Sequence, residues 1–226
     1  MVPLKQSTAL DQERTLSALL PRGEYRNVFD VETIVVEPSR ELLTEMSQMY
    51  GASLVENPCT DCAARGGVQY CRDVGWLEES MRIKGSTLLI ARNIEGLQGF
   101  AHFYCGCDSL PPFAQELGSR WSFSPQIAYM YLILSKASMR GRGIGTSMYL
   151  AACEEASRRG CKLMVAEIYV CPVPNSASLR FHERLGFSYT GRAIERSRLV
   201  QDRAIKVMYT EMVRPIEPQQ KIKELT

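Results

Sequence analysis

No apolar stretch of the chain approaches the roughly 20 residues that a bilayer span requires, and the polar start, Met1 to Gln12, carries no apolar signal core. A cytoplasmic protein without a membrane partner is expected. An excess of charge is missing too: 27 basic and 25 acidic side chains leave a net +2. General binding to a nucleic-acid backbone needs a basic excess, so no nucleic-acid partner is expected. The sequence has no Gly-Lys-Ser/Thr of a P-loop, and Gly141, Gly143 and Gly145 are spaced by two, which is not the dinucleotide pattern G-x-G-x-x-G. Cys59 and Cys62 form a C-x-x-C pair that has no second copy. Eight cysteines with irregular spacing in a chain this long read as reduced thiols in a reducing compartment, and no metal is assigned.

What is present suits one globular domain. The 226 residues are 45% apolar and 23% charged, enough for one large core. An arm over 1–30, a domain over 31–213 and a solvated tail over 214–226 are expected. Alternating elements fill the domain. "ETIVVEP" reads as a strand, and Ser39 caps a helix in which Leu42, Leu43, Met46 and Met49 recur at helical spacing up to Gly51. Residues 57–75 read as an irregular, cysteine-bearing segment. "STLLIARN" and "LQGFAHFYC" read as a hairpin joined through "IEG", 106–126 as a long loop, and "IAYMYLIL" (127–134) as a strand covered on both faces. Ile144, Met148, Ala152 and Ala156 mark one face of a helix that stops at Gly160. "KLMVAEIYV" is a further strand with Glu167 its one interior charge, Asn175 caps a helix to Leu185, and "FSYTGR" and "AIKVMYTEMV" close the domain as strands.

Between the strand and the helix lies "MRGRGIGTSM" (139–148). A helix start presents unpaired amides and about half a positive charge, and glycines let an anion come close to them. Arg140 and Arg142 can add charge-assisted bonds. This loop fits a phosphorylated ligand.

"RGRGIG" resembles the pyrophosphate loop of the GNAT acetyltransferase superfamily, Arg/Gln-x-x-Gly-x-Gly/Ala, with Arg140, Gly143 and Gly145 in its fixed places. "NSASLRFHERLGF" (175–187) is similar to the family's later helix, with Asn175, Ser178, Gly186 and Phe187 in register. The resemblance implies a mixed, mainly antiparallel α/β sheet with helices on both faces. It also implies transfer of an acetyl or other short acyl group from acetyl-CoA, as co-substrate, to an amine. The main chain at Ile133, Leu134 and Ser135 would bond the pantetheine arm. Arg140, Gly141, Arg142, Gly143, Ile144, Gly145 and Thr146 would hold the pyrophosphate, with Asn175 near the arm. Proximity and a backbone amide at the oxyanion would supply catalysis.

The family's helix usually has a tyrosine, which protonates the departing thiolate, where this chain has His182. An imidazolium can do this, because its ordinary pKa of about 6.5 lies below a thiol's, about 8.5. The alternative is a packed histidine bonded to Ser178, four residues earlier on one helical face. Glu167 is the candidate base, directly or through a water, against a structural carboxylate paired with an arginine. Tyr129 and Tyr131 share a strand face that either lines the acceptor channel or packs the core. Cys59, Cys62, Cys71, Cys105 and Cys107, with His102, are the alternative metal ligands. The acceptor amine, small molecule or peptide, is not encoded in any pattern, and a homodimer stays open. Two other readings remain: a CoA-binding regulatory module with a cysteine-based metal or redox site, and other chemistry on a CoA thioester, such as decarboxylation.

Overall fold

The computed structural model describes residues 30–34, 38–53, 73–106, 126–171, 173–200 and 203–216. Among the described residues seven strands make one sheet: β1 (Asp30–Ile34), β2 (Ser86–Asn93), β3 (Gly96–Cys105), β4 (Ile127–Ser135), β5 (Leu163–Cys171), β6 (Ser188–Val200) and β7 (Arg203–Pro215). Their order is β1-β2-β3-β4-β5-β7-β6. Every neighbouring pair is antiparallel except β4 and β5. That parallel step needs a crossover, which the glycine loop and the following helix supply. The mixed, mainly antiparallel architecture expected from the sequence is what the chain forms.

Among the described residues four α-helices cover the sheet: α1 (Arg40–Ala52), α2 (Val74–Met81), α3 (Ile144–Arg158) and α4 (Ser176–Arg184). On one face α3 buries Ile144, Met148, Ala152 and Ala156 against Ala101, Phe103, Met130, Met164 and Ala166, with Leu185 and Phe187 beyond α4 completing the cluster. On the opposite face α1 and α2 bury Leu42, Leu43, Met46 and Leu77 against Leu88, Ile90, Phe100 and Leu134. Side chains of this size each contribute roughly 1.5–3 kcal/mol when removed from water, and the alternation of a strand lets both faces draw on one sheet. Gly99 lets α3 lie close: a Cβ there would stand 2.9 Å from the Leu134 carbonyl oxygen and 3.0 Å from both Ile144 and Met148.

Three elements differ from the sequence reading. The helix α2 falls in what reads as irregular chain; Asp73 caps it, its Oδ1 accepting from the Trp76 amide at 2.7 Å. The helix α1 passes through Gly51 and ends on Ser53. Strand β6 continues to Val200, eight residues past "FSYTGR", because the charged "ERSR" stretch pairs along β7 from Met208 to Ile205. Residues 1–29 of the expected arm, the segments 54–72 and 107–125 with Cys59, Cys62, Cys71 and Cys107, and 217–226 lie outside the described residues.

Candidate active site

The β4 strand changes phase at Tyr131. On β3, His102 is opposite Leu132 and Phe103 is opposite Met130, so Tyr131 is the extra residue of a β-bulge. Ile127, Tyr129 and Tyr131 therefore share the α1/α2 face with Leu132 and Leu134 beyond the bulge. At the same point β4 leaves β5. Their pairing stops at Met130 opposite Ala166, although β4 runs to Ser135 and β5 to Cys171. The main chain of Tyr131 to Ser135 thus faces a widening gap on its β5 side, and it includes the Ile133, Leu134 and Ser135 of the sequence reading.

The glycine loop closes the end of this gap. Gly141 and Gly143 have φ of +77° and +85°, a region costly for other residues, and a Cβ on either would meet nothing within 4 Å. Gly143 is the N-cap of α3 and provides no side-chain cap, whereas Ser39, Asp73 and Asn175 each cap their helix with a side-chain oxygen. The first intrahelical bond is Ser147 to the Gly143 carbonyl at 2.9 Å. The amides of Ile144, Gly145 and Thr146 therefore start the helix with no intrahelical acceptor, facing open space past Gly143. This is a cradle for an anion. Ile144 itself is anchored in the core, and Gly145 brings α3 close to α4, where a Cβ would stand 3.2 Å from Phe181. Arg142 is exposed, while the half-buried Arg140 reaches the α1 C-cap, its Nη2 3.5 Å from Ser53 Oγ; burial lowers its pKa.

Asn175 accepts from the Ser178 amide at 3.1 Å, as the cap expected for α4, and its own amide donates to the Tyr169 carbonyl at the gap's β5 side. The two catalytic candidates of the sequence, His182 and Glu167, both have enclosed, partnered side chains. His182 is 2% exposed and lies edge-on to Phe181 and Phe187. Its Nδ1 stands 2.8 Å from the Ser178 carbonyl oxygen, an acceptor only, so the proton sits on Nδ1 and the buried Nε2 is bare. Burial lowers its pKa to about 4. An imidazolium, which the proton-donor role requires, is not the form these surroundings favour, and the packed, bonded histidine is the one found. Glu167 pairs with Arg196 on β6, Nη2 to Oε2 2.6 Å, with the two side chains 9% and 1% exposed. The residue as a whole is only half-buried, so what solvent reaches is its main chain beside the gap. Arg196 also lies 5.2 Å from the centre of the Tyr209 ring, and Glu211 stands directly opposite Glu167 on β7. Burial, then the Glu167 charge, holds the Tyr129 hydroxyl protonated, well above its ordinary pKa.

The model of the acetyltransferase (GNAT) family matches residues 73–187, just over half the chain. The chain belongs to the GNAT acetyltransferase family. No curated protein matches the chain. Among solved structures, the ribosomal-protein-S18-alanine N-acetyltransferase from Escherichia coli is similar at 11% identity, covering 83% of this chain and 95% of that one with a TM-score of 0.54. An N-acetyltransferase from Staphylococcus aureus Mu50 is 18% identical over 83% of this chain and 99% of its own, TM-score 0.54. YncA from Salmonella typhimurium, solved with its cofactor acetyl-CoA, is 16% identical over 84% and 94%, TM-score 0.53. At these identities the likeness is one of fold.

Sequence reasoning missed Tyr131 as a bulge, Arg196 as the partner of Glu167, and Trp76 on α2. Arg196 carries no local signal, because it reaches Glu167 across β7. Cys105, Cys153, Cys161 and Cys171 are free thiols, and among the described residues no three metal-ligating side chains converge. His102 is committed elsewhere, its Nε2 2.8 Å from Ser86 Oγ.

The buried histidines predict an acid-sensitive fold. His102, with a pKa lowered by burial to about 3, and His182, at about 4, stay neutral while the unfolded chain protonates near 6.5. Between those values the unfolded state binds more protons, so stability is full above pH 6.5 and falls as pH drops. The loss is roughly 3 kcal/mol per ring by pH 4. Urea unfolding at pH 7, 5.5 and 4.5 measures it, and His182→Phe should remove about half of the slope between them. An unchanged slope in that variant contradicts the assignment.

Proposed function

We propose that this GNAT protein transfers an acetyl or other short acyl group from acetyl-CoA to an amine acceptor, within a domain over 31–213. The observation that carries the reading is the α3 start: three amides without intrahelical acceptors, behind two left-handed glycines with open space before them, at the end of a strand that has left its neighbour. A diphosphate fits such a cradle, and the extended main chain of Ile133, Leu134 and Ser135 suits an amide-bearing arm. Acetyl-CoA, when bound, supplies an activated thioester. Ile144, Gly145 and Thr146 donate to its phosphates, with Arg140 and Arg142 adding positive charge at the loop. Arg140 ties that loop to the end of α1, so the cofactor side and the α1/α2 face keep a fixed spacing. Asn175 holds the start of α4 beside the gap.

An ammonium acceptor must lose a proton before it can attack. We assign that proton to Glu167, directly or through a water, with Arg196 fixing the carboxylate and Glu211 adding negative potential on the same face. His182 we assign to seating α4 against Phe187, and the leaving thiolate takes its proton from solvent. The protein is read as cytoplasmic; among the described residues no helix is long and apolar enough to cross a membrane.

Incubation with acetyl-CoA and a panel of amines, followed by free-thiol release and product mass, tests the reading. A product heavier by one acetyl group is expected. Saturable CoA binding with no transfer to any amine would favour the regulatory module, and loss of carbon dioxide from a carboxylated acyl-CoA would favour decarboxylation.

A further inference from the structure

Two thiols meet at the end of α3 away from the glycine loop. Cys105 is the last residue of β3, and Cys161 lies in the turn between α3 and β5. The sheet register brings the two positions together. Cys105 is opposite Ala128 on β4, the adjacent Ile127 is opposite Leu163 on β5, and the Gly106 amide donates to the Ile127 carbonyl at 3.1 Å. Cys161 comes two residues before Leu163. Its own amide donates to the Ala156 carbonyl at 2.9 Å, which closes the helix and turns the residue back under α3. Both side chains belong to the core cluster on the α3 face, 7% and 4% exposed, and the Cys105 thiol donates a hydrogen bond to the Cys161 sulfur. Cysteines far apart in the sequence are therefore sulfur to sulfur in the fold.

The surroundings make the two thiols unequal. The Cys105 thiol first, then the charge of Arg159 and the Gly106 amide, hold the Cys161 thiol below its ordinary pKa, although burial opposes them. Glu155 keeps Arg159 in place, Nε to Oε1 2.7 Å. Cys153, on α3 itself, goes the other way, its thiol raised by burial. A thiolate is the nucleophile in thiol oxidation, so Cys161 is placed to attack and Cys105, already bonded to it, to resolve. Gly160 and Lys162 on either side of Cys161 are exposed, so local opening of this one turn gives a small oxidant access to the sulfur.

We propose that Cys105 and Cys161 form a reversible disulfide that pins the C-terminal end of α3 to the end of β3. A hydroperoxide is the oxidant. The Cys161 thiolate attacks one peroxide oxygen, the O–O bond breaks, and the departing oxygen takes up a proton and leaves as an alcohol or water. The Cys105 thiol then attacks the Cys161 sulfenic acid, which forms the S–S bond and releases water. Two thiols lose two electrons in all, and the peroxide gains them. A dithiol reverses the reaction by exchange. The cross-link closes a long loop through β4 and α3, which restricts the unfolded chain and raises stability. The glycine loop lies at the other end of α3, a 15-residue helix about 22 Å long, so CoA binding is unaltered.

The test treats the full chain with roughly stoichiometric hydrogen peroxide and maps its disulfides by mass spectrometry of a non-reduced digest. The peptides of Cys105 and Cys161 should be found joined, lighter by two hydrogens. The melting temperature should rise by about 5–15 °C and return with dithiothreitol, while calorimetry finds the same CoA affinity in both forms. In Cys105→Ala, dimedone should trap a sulfenic acid on Cys161. Peroxide-treated protein in which Cys161 is joined to another cysteine, such as Cys107, overturns the pairing, and so does oxidation confined to the exposed Cys171. Both outcomes are read on the unsubstituted chain, whatever the variants do. An unchanged melting temperature in the cross-linked form overturns the pinning of α3, and a sulfenic acid trapped on Cys105 in Cys161→Ala overturns the order of attack.

Discussion

Glu167→Gln is expected to lower kcat by about 10²–10⁴, the range for losing a positioned base, while acetyl-CoA affinity changes little. The same substitution leaves Arg196 buried without its carboxylate, so loss of stability must be separated from loss of chemistry. Arg196→Met does the reverse. It strands a carboxylate whose side chain is 1% exposed, at a cost of about 3–5 kcal/mol, and should be the less stable of the two. The double variant separates the effects. It keeps Glu211 as the one carboxylate of the facing pair of Glu167 and Glu211, and stability should recover in part relative to Arg196→Met. Turnover should not recover. Thermal unfolding, calorimetry with acetyl-CoA and steady-state rates on the three variants are sufficient. If turnover returns with stability in the double variant, Glu167 is a structural carboxylate and the base lies elsewhere.

Gly143→Ala should separate ligand binding from folding as cleanly. The residue has φ of +85°, so alanine is strained by roughly 1–2 kcal/mol, yet its Cβ enters open space in the protein itself. That space is where the diphosphate is placed. A methyl group there pushes the anion off one amide, a charge-assisted bond being worth about 1.5–3 kcal/mol, so CoA affinity should fall by a factor of about 10 to 150. Gly160→Ala is the matched control, with φ of +80° and likewise nothing within 4 Å, but at the far end of α3. It carries the same strain and should bind CoA normally. Equal affinities in the two variants would place the phosphates away from the loop.

The sequence makes the helix-to-strand alternation legible wherever one periodicity runs unbroken. Ile144, Met148, Ala152 and Ala156 are all in the core, and the β2–β3 hairpin turns where "IEG" predicts. The α2 helix is legible only from its cap, because its eight residues are too few to show a stripe. The glycine loop is readable because its chemistry is local: glycines and a helix start are adjacent in the chain. The carboxylate pair is not. Arg196 and Glu167 are brought together by strand order, and strand order is decided by packing across the whole sheet. Tyr131 is hidden for a related reason, since "AYMYLIL" shows no break where the bulge falls, and the phase change appears only against β3. His182 shows the limit of a motif. Its place in the helix is as expected, but its protonation is set by Phe181, Phe187 and the Ser178 carbonyl around it.

Amide hydrogen exchange, read residue by residue with and without CoA, bears most directly on the claim that the start of α3 grips the diphosphate. The account predicts that the amides of Ile144, Gly145 and Thr146 exchange slowly once CoA is bound, and much faster in its absence. CoA binding that leaves those three amides exchanging as before would contradict it.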